Sequence, residues 1–251
     1  MLRTFRADVH IHTCLSPCAD IDMSPKAIVE QAEKKGLDII AICDHNSAEN
    51  VAATRRAASG RSLTVLGGME ITSEEEAHVL ALFDEIGQIL ELQGIVYDHL
   101  PKGPAAEIDI DDQIVVNEFD EVESFNTKLL FGATTLSVQD IVEAVHRIGG
   151  LAIASHIDRE SFSIIGQLGF IPPDLPLDAL EISAATSLQQ AKRNFSQCAD
   201  FPLVTSSDAH FVGDIGSVYT NFLLSEPAIE EMKKAFLNVD GRKLLYPDTE
   251  R

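Results

Sequence analysis

The sequence predicts an α/β protein with a largely parallel sheet, built as one domain over residues 1–251. Apolar runs alternate with amphipathic segments along most of the chain, which is typical of successive β/α units. A length of 251 residues is common for an α/β barrel that forms a single domain. Histidines and carboxylates follow the ends of several apolar runs. In barrels of parallel strands the active site lies at the C-terminal ends of the strands, so these observations favour a barrel-like fold.

The first third of the chain contains two predicted strands and a helix with clear boundaries. Residues 5–12 form the first strand. Ser24 provides an N-cap, Pro25 follows as the first helical residue, and Gly36 ends the helix. The run at 37–43 is apolar almost throughout and is predicted as a buried strand. The elements predicted next are a helix at 48–59, strands at 63–66 and 77–83, and a short helix at 84–93.

The second half of the chain continues the alternation of strands and helices. Ser137 caps a helix over 137–148 that Gly149 ends, and the strand at 151–155 leads directly to His156. The remaining predicted elements are strands at 177–182 and 203–206 and helices at 187–198 and 227–237.

Residues 97–135 interrupt this alternation. The segment is acidic and rich in turn residues, and apolar and polar residues alternate at 113–118 and 121–125. Such alternation is typical of paired strands, so we expect a β-hairpin-like insertion. Insertions of this kind often cover a site. The sequence leaves open whether this one covers a site or mediates dimerisation, and it does not predict the oligomeric state.

The charge balance disfavours broad binding of nucleic acid. The chain has 19 basic and 40 acidic residues, a formal net charge of −21, which repels phosphate backbones. A small phosphorylated substrate or a short nucleic-acid end remains compatible, because bound divalent cations reverse the local field. No apolar stretch approaches the roughly 18 residues of a membrane span, so the cytoplasm is the expected location.

The four cysteines do not indicate a disulfide framework in a chain of this length. Cys14 and Cys18 lie four residues apart and could reach one metal ion. Free thiols packed near a turn are the simpler interpretation, since no second cysteine pair completes a zinc site. The other two cysteines are Cys43 and Cys198.

Candidate metal ligands begin with a pair of histidines on the first strand. His10 and His12 are two residues apart, so both imidazoles project from one face of a strand. A chain with eight histidines can contain such a pair by chance. The interpretation gains force because further candidates follow later strands, namely His45, Glu70, His156, Asp208 and His210.

For other candidates, a structural role and a ligand role stay open at this point. His78 lies within a predicted strand and could be a core histidine or a ligand. Asp20 follows Pro17 in a loop, where a lone aspartate is more often a turn former or a cap. Asp44 is more suited to orienting a ligand than to binding metal. His99 and His146 are interpreted as structural or surface residues.

The combined motifs resemble those of the PHP (polymerase and histidinol phosphatase) family of metal-dependent phosphoesterases. They occur in family order from residue 8 to residue 210. The matching segments are Asp8-Val9-His10-Ile11-His12-Thr13, Cys43-Asp44-His45-Asn46, Gly68-Met69-Glu70, His78-Val79-Leu80, Ser155-His156 and Ser206-Ser207-Asp208-Ala209-His210. The resemblance implies a distorted, TIM-like (β/α)7 barrel with two or three divalent metal ions at its C-terminal face.

The resemblance also implies a role for each matching residue. One metal position would use His10, His12, Glu70 and Asp208. Glu70 would bridge to a second position that also uses His78 and His156, and a third would use Asp20, His45 and His210. Ser16-Pro17-Cys18 lengthens the turn before Asp20 relative to the family pattern. Arg159, three residues after His156, would contact substrate phosphate.

These residues predict hydrolysis of phosphate monoesters by a metal-activated hydroxide. Mixed imidazole and carboxylate ligands suit manganese, iron or zinc, and paired cations can activate water and stabilise a phosphoryl displacement. Glu70, Asp208 and His210 are the predicted catalytic residues, the last two as proton carriers for the leaving group. The substrate could be a small metabolite, a nucleotide or an oligonucleotide end. The alternatives are a non-catalytic, metal-stabilised binding module and an amidohydrolase-like enzyme acting on a non-phosphorylated substrate.

Overall fold

The computed structural model describes residues 1–101, 113–195 and 201–246. Residues 102–112 of the predicted insertion and Cys198 lie outside the described residues. The described strands are β1 (Arg3–Ile11), β2 (Ile39–Ile42), β3 (Thr64–Thr72), β4 (His78–Phe83), β5 (Ile114–Val116), β6 (Val122–Phe125), β7 (Leu151–Ala154), β8 (Ala179–Ile182), β9 (Leu203–Thr205), β10 (Thr220–Leu224) and β11 (Lys243–Leu245).

Helices fill most of the connections between these strands. They are α1 (Pro25–Lys35), α2 (Val51–Ala57), α3 (Ile86–His99), α4 (Val138–Ile148), α5 (Ile164–Leu168), α6 (Leu188–Asn194) and α7 (Ile229–Phe236). Ser24 and Ser137 cap α1 and α4 as predicted, accepting hydrogen bonds from the backbone N–H groups of Ala27 and Asp140. Within the described residues, no helix is long and apolar enough to cross a bilayer.

Among the described residues, the main sheet has nine strands in the order β11-β10-β1-β2-β3-β4-β7-β8-β9. Seven strands run from β1 to β9, and the chain beyond β9 returns to the end of β1. There the His12 N–H donates to the carbonyl of Ala209 at 3.0 Å, and Ile11 and Ala209 form a parallel bridge. The predicted distorted α/β barrel is therefore confirmed.

The sheet is mixed, whereas the sequence predicts a largely parallel one. The pairs β1–β2, β2–β3, β7–β8 and β8–β9 are parallel, but β4 is antiparallel to both of its neighbours, β3 and β7. A short connection between β3 and β4 produces this reversal, because only five residues separate the strands. Strands β10 and β11 extend the edge beside β1 with antiparallel pairing.

Apolar side chains are buried on both faces of the sheet. Ile40 and Ile42 of β2 belong to a cluster that includes residues of α1 and α4, whereas Ile39 and Ala41 belong to a second cluster formed mainly by strand residues. Burial on both faces explains why β2 is an uninterrupted apolar run instead of an alternating one.

The insertion differs from its prediction at its start. Helix α3 continues to His99, so residues 97–99 are helical. The hairpin predicted from the alternating residues is present, with Ile114 of β5 paired to Phe125 of β6. It lies against the turn after β1, where the Ile114 N–H donates to the Cys14 carbonyl at 3.2 Å and the Asn50 side chain donates to the Ile114 carbonyl at 3.0 Å.

Candidate metal centre

The candidate ligands meet at one end of the sheet. His10 lies near the end of β1, Glu70 near the end of β3, and His156 just after β7. Because β4 runs antiparallel to β3, its first residue, His78, lies at this same end and pairs with Thr72. The reversal of β4 therefore explains why a histidine at the start of a strand joins ligands at the ends of others.

The backbone around these residues adopts demanding conformations. Gly68 has no side chain, and a Cβ atom there would lie 2.4 Å from Cys43 Sγ and 2.7 Å from the Ile42 carbonyl oxygen. Only glycine lets β3 approach β2 this closely, two residues before Glu70. His156 and Asp208 have positive φ angles of 24° and 50°, which non-glycine residues adopt at a cost and often at functional sites.

Four side chains form the inner group, the buried His10, His12 and Glu70 and the partly buried Asp208. The Nε2 atoms of the two histidines are 3.1 Å apart, and each lies 3.3 Å from Asp208 Oδ1. Glu70 Oε2 lies 3.5 Å from His10 Nε2 and 3.4 Å from His12 Nε2. Four donor atoms thus face one small volume.

Hydrogen bonds at the far sides of the rings orient both histidines of the inner group. His10 Nδ1 lies 2.9 Å from the buried Glu181 carboxylate, and His12 Nδ1 lies 2.9 Å from Ser16 Oγ. The Ser16 hydroxyl in turn donates to Asp44 at 2.7 Å. A proton held on Nδ1 leaves Nε2 free to bind a cation, the usual arrangement behind a metal-binding histidine.

Sequence reasoning did not select Glu181. It is 1% exposed and lies in the short apolar strand β8, and besides orienting His10 it accepts the His156 backbone N–H at 3.1 Å. The signal in the sequence was a carboxylate within a buried apolar run, since an unpaired charge is rarely buried.

The two carboxylate oxygens of Glu70 lie near different imidazoles. Oε1 lies 2.9 Å from His78 Nδ1 and 3.2 Å from His156 Nε2. Oε2 faces the inner group and also lies 3.2 Å from His45 Nδ1. The two oxygens of this carboxylate therefore face different imidazoles, and its role as a bridge between cations stays a prediction.

A third set of possible ligands, the rim group, consists of Cys18, His45 and His210, with His12 shared from the inner group. Cys18 is exposed, and its Sγ lies 3.1 Å from His210 Nε2. Asp20, predicted for this position, belongs to none of the three groups found among the described residues. Its Oδ1 instead accepts the Asp22 backbone N–H at 2.9 Å.

Arg159 also stands at the rim. Its guanidinium lies 2.6 Å from Asp208 Oδ2, and its side chain is 47% exposed. Together with Phe162, His156 and Cys18 it lines a cavity of about 490 Å³ that opens above Glu70. His99 and His146, interpreted from the sequence as structural or surface residues, form hydrogen bonds outside this cluster. His99 bonds to the Ile95 carbonyl and His146 to the Asp178 carboxylate.

The electrostatics of the cluster favour charged carboxylates. Burial alone would raise the pKa of Glu70, but His78 and His10 outweigh it and hold that pKa well below its usual range. Burial would lower the pKa of His12, yet the Asp208 and Glu70 carboxylates raise it to about 9. Burial and the neighbouring His12 lower the pKa of His210 to about 4. These carboxylates therefore favour positive charge in the inner group, and a bound cation would supply it.

The donor set fits divalent cations. Buried polar atoms normally find partners, yet among the described residues His156 Nδ1 has no hydrogen bond, and His45 Nδ1 makes none although it lies 3.2 Å from Glu70 Oε2. Imidazoles with carboxylates are a donor set that suits manganese, iron and zinc. The same atoms would be costly to gather in a buried cluster without a cation to share them.

Comparison with known families gives two matches along the chain. The PHP domain matches residues 8–163, and the PHP-associated family matches residues 187–238. The YqxK protein of Bacillus subtilis (strain 168) is 25% identical over a 266-residue alignment. The alignment covers 97% of this chain and 65% of that protein.

Solved structures show the same fold. The lesion-specific endonuclease PfuEndoQ from Pyrococcus furiosus superposes with a TM-score of 0.73 at 19% identity, over 96% of this chain and 58% of that one. Endonuclease Q in complex with a 27-mer duplex substrate carrying an abasic lesion at the active site gives a TM-score of 0.69 at 18% identity, with the same coverage of both chains. The chain thus spans less than two thirds of the length of each of these three proteins.

Proposed function

The chain belongs to the PHP domain family, and we propose that it is a metal-dependent hydrolase that cleaves phosphate esters. The observation that carries the proposal is the position of Glu70, whose two oxygens face separate sets of imidazoles below one open cavity. Two or three divalent cations bound there would supply hydroxide near neutral pH and neutralise charge on phosphate oxygens.

In this proposal some residues bind the cations and others orient those ligands. His10, His12 and Asp208 would hold one cation, and His78 and His156 a second, with Glu70 shared between them. The Glu181 carboxylate and the Ser16 hydroxyl keep the first two imidazoles turned inward. Preorganised ligands avoid the cost of rearrangement when substrate binds.

Two rim residues are suited to the substrate. Arg159 is half-exposed beside the cavity, so its guanidinium can reach substrate phosphate oxygens, for which its planar donors are well matched. His210 is partly exposed and lies next to Asp208, so either residue could pass a proton to the leaving alcohol. If a cation binds one of these two side chains, the other would have to transfer the proton.

The proposed substrates are phosphate monoesters on small molecules, nucleotides or short nucleic-acid ends. The similarity to Endonuclease Q, whose structure contains a 27-mer duplex substrate, supports the nucleic-acid option. The net charge of −21 disfavours long duplexes, whose binding depends on neutralising many phosphates. Short ends need few contacts and can rely on the metal centre.

The proposal is tested with a panel of phosphomonoesters, nucleotides and 5′-phosphorylated oligonucleotides in the presence of Mn²⁺. We expect Glu70→Gln to lower kcat/KM by more than about 100-fold, because one neutral amide replaces the shared ligand. Glu91→Gln, an exposed substitution on α3, is the matched control and should behave as wild type.

Two outcomes would contradict the proposal. If metal-loaded wild type is no faster than Glu70→Gln on any ester, the centre serves a binding module and not an enzyme. If an amide panel is hydrolysed and inorganic phosphate does not inhibit it, the reaction is of amidohydrolase type.

A further inference from the structure

We propose that Cys18, and not Asp20, completes the third cation position with His45 and His210, so that this position prefers a soft cation such as zinc. The inference rests on the proposed metal centre and identifies one of its ligands. A thiolate in the rim group would make the three positions chemically unequal, with two sites of nitrogen and oxygen donors and one that includes sulfur.

The spacing of the donor atoms supports a shared cation. One donor atom from each of Cys18, His45, His210 and His12 lies within 4.8 Å of every other. Zn–S and Zn–N bonds of about 2.3 and 2.0–2.1 Å in a tetrahedron separate the two ligand atoms by about 3.5 Å. The observed separation of 3.1 Å between Cys18 Sγ and His210 Nε2 is close to that value.

The ring orientations are consistent with ligation. His210 Nδ1 lies 2.8 Å from the Asp208 carbonyl oxygen, which can only accept a hydrogen bond, so Nδ1 carries the proton. Its Nε2 lone pair is then directed towards Cys18. Among the described residues, His45 Nδ1 is buried and makes no hydrogen bond, although Glu70 Oε2 lies 3.2 Å from it, so this imidazole also keeps a nitrogen available to a cation.

The turn between β1 and α1 explains why the cysteine takes this place. The Ser16 N–H donates to the Thr13 carbonyl at 3.0 Å and the Ala19 N–H to the Ser16 carbonyl at 2.9 Å, so the chain bends twice and exposes Cys18 at the rim. The residues that lengthen this turn, Ser16-Pro17-Cys18, therefore introduce the thiol themselves.

Asp20 is occupied in holding the same turn. Its carboxylate accepts the Asp22 N–H, and its own N–H donates to the His210 carbonyl at 2.8 Å. This backbone bond ties the turn to the segment after β9. Asp20 thereby helps to place Cys18 opposite His210, which is a positioning role and not ligation.

The test loads metal-free full-length protein with Co²⁺ or with an equal mixture of Zn²⁺ and Mn²⁺. Wild type should show a thiolate-to-cobalt charge-transfer band and should retain a third equivalent of zinc. Cys18→Ser should lose both the band and about one equivalent of zinc, whereas Asp20→Asn should keep both. Cys14→Ser is the matched control, because Cys14 is buried beside the hairpin and lies outside the rim group.

Several outcomes overturn the inference. It fails if wild type shows no band, if Cys18→Ser keeps it, or if Asp20→Asn loses the third equivalent while Cys18→Ser retains it. Should Cys18→Ser fail to fold, the spectra of wild type and Cys14→Ser decide the question together, because the inference requires the band in both. Ester hydrolysis is measured separately: the band without turnover rejects the proposed function only, and turnover that depends on Glu70 without the band rejects this inference only.

Discussion

The inner group and the rim group face the same cavity but are built differently. His10 and Glu70 are 0% and 1% exposed and lie on central strands of the sheet. His45 and His210 are 13% and 23% exposed and lie on loops that follow β2 and β9. Strands packed on both faces hold side chains more rigidly than loops do, so His10 and Glu70 are preorganised, whereas His45 and His210 can adjust.

This difference in exposure and support suggests that the two groups have different roles in the proposed metal centre. Buried ligands with partners behind them suit cations that must stay in place through every reaction cycle. Partly exposed ligands beside Arg159 suit contacts that form and break as substrate enters and product leaves. Substitutions in the inner group, behind it and at the edge of the cavity test this difference in roles, and their expected effects decrease in that order.

The largest effect should separate the two groups directly. We expect His10→Ala to lower kcat/KM by more than about 100-fold and to remove a bound cation, because a buried ligand has no replacement nearby. His210→Ala should lower kcat/KM by about tenfold, since water can enter the more exposed rim position. Phosphomonoester kinetics and metal analysis measure both, with His99→Ala as the control outside the centre. Equal losses in the two variants would contradict the difference in roles.

An intermediate effect is expected from the residue behind His10. Glu181→Gln keeps the size of the side chain but removes the charge that orients the ring, and we expect metal affinity to fall by about 10–100-fold. Competition with a metal-binding dye measures the affinity, and Glu143→Gln on the exposed face of α4 is the control. An unchanged affinity would mean that packing alone orients His10. Partial recovery in Glu181→Asp would support the hydrogen bond as the cause.

The smallest effect is expected at the edge of the cavity. Arg159→Ala should raise KM by about tenfold and leave kcat within about threefold, because a lost charge-assisted hydrogen bond is worth roughly 1.5–3 kcal/mol before solvent screening. Arg147→Ala, exposed at the end of α4, is the control. A fall in kcat with unchanged KM would instead indicate that Arg159 acts through Asp208, which its guanidinium contacts.

Much of the fold could be predicted because its signals are local. Ser24 and Ser137 have the caps that their positions predict, and the apolar run of β2 forms a strand buried on both faces. The direction of β4 could not be predicted in the same way. Its apolar run is equally compatible with parallel and antiparallel pairing, and the short connection from β3 decides between them.

Other elements were missed because their signals are weak or depend on distant residues. Helix α5 has only five residues, and β10 and β11 lie at the sheet edge, where pairing with β1 and with each other defines them. Helix α3 continues to His99 although turn residues follow closely. This end lies six residues beyond the predicted one, because buried Val96 continues the packed face of the helix.

The sequence by itself determined which side chains could gather at one end of the sheet, because strand ends and the spacing of His10 and His12 are local features. Only the tertiary structure decided how they pair. It brings Glu181 behind His10 across 171 residues, and it sets Cys18 against His210 across 192 residues. Contacts over such separations depend on how the whole sheet curls, and no local pattern in the chain contains that information.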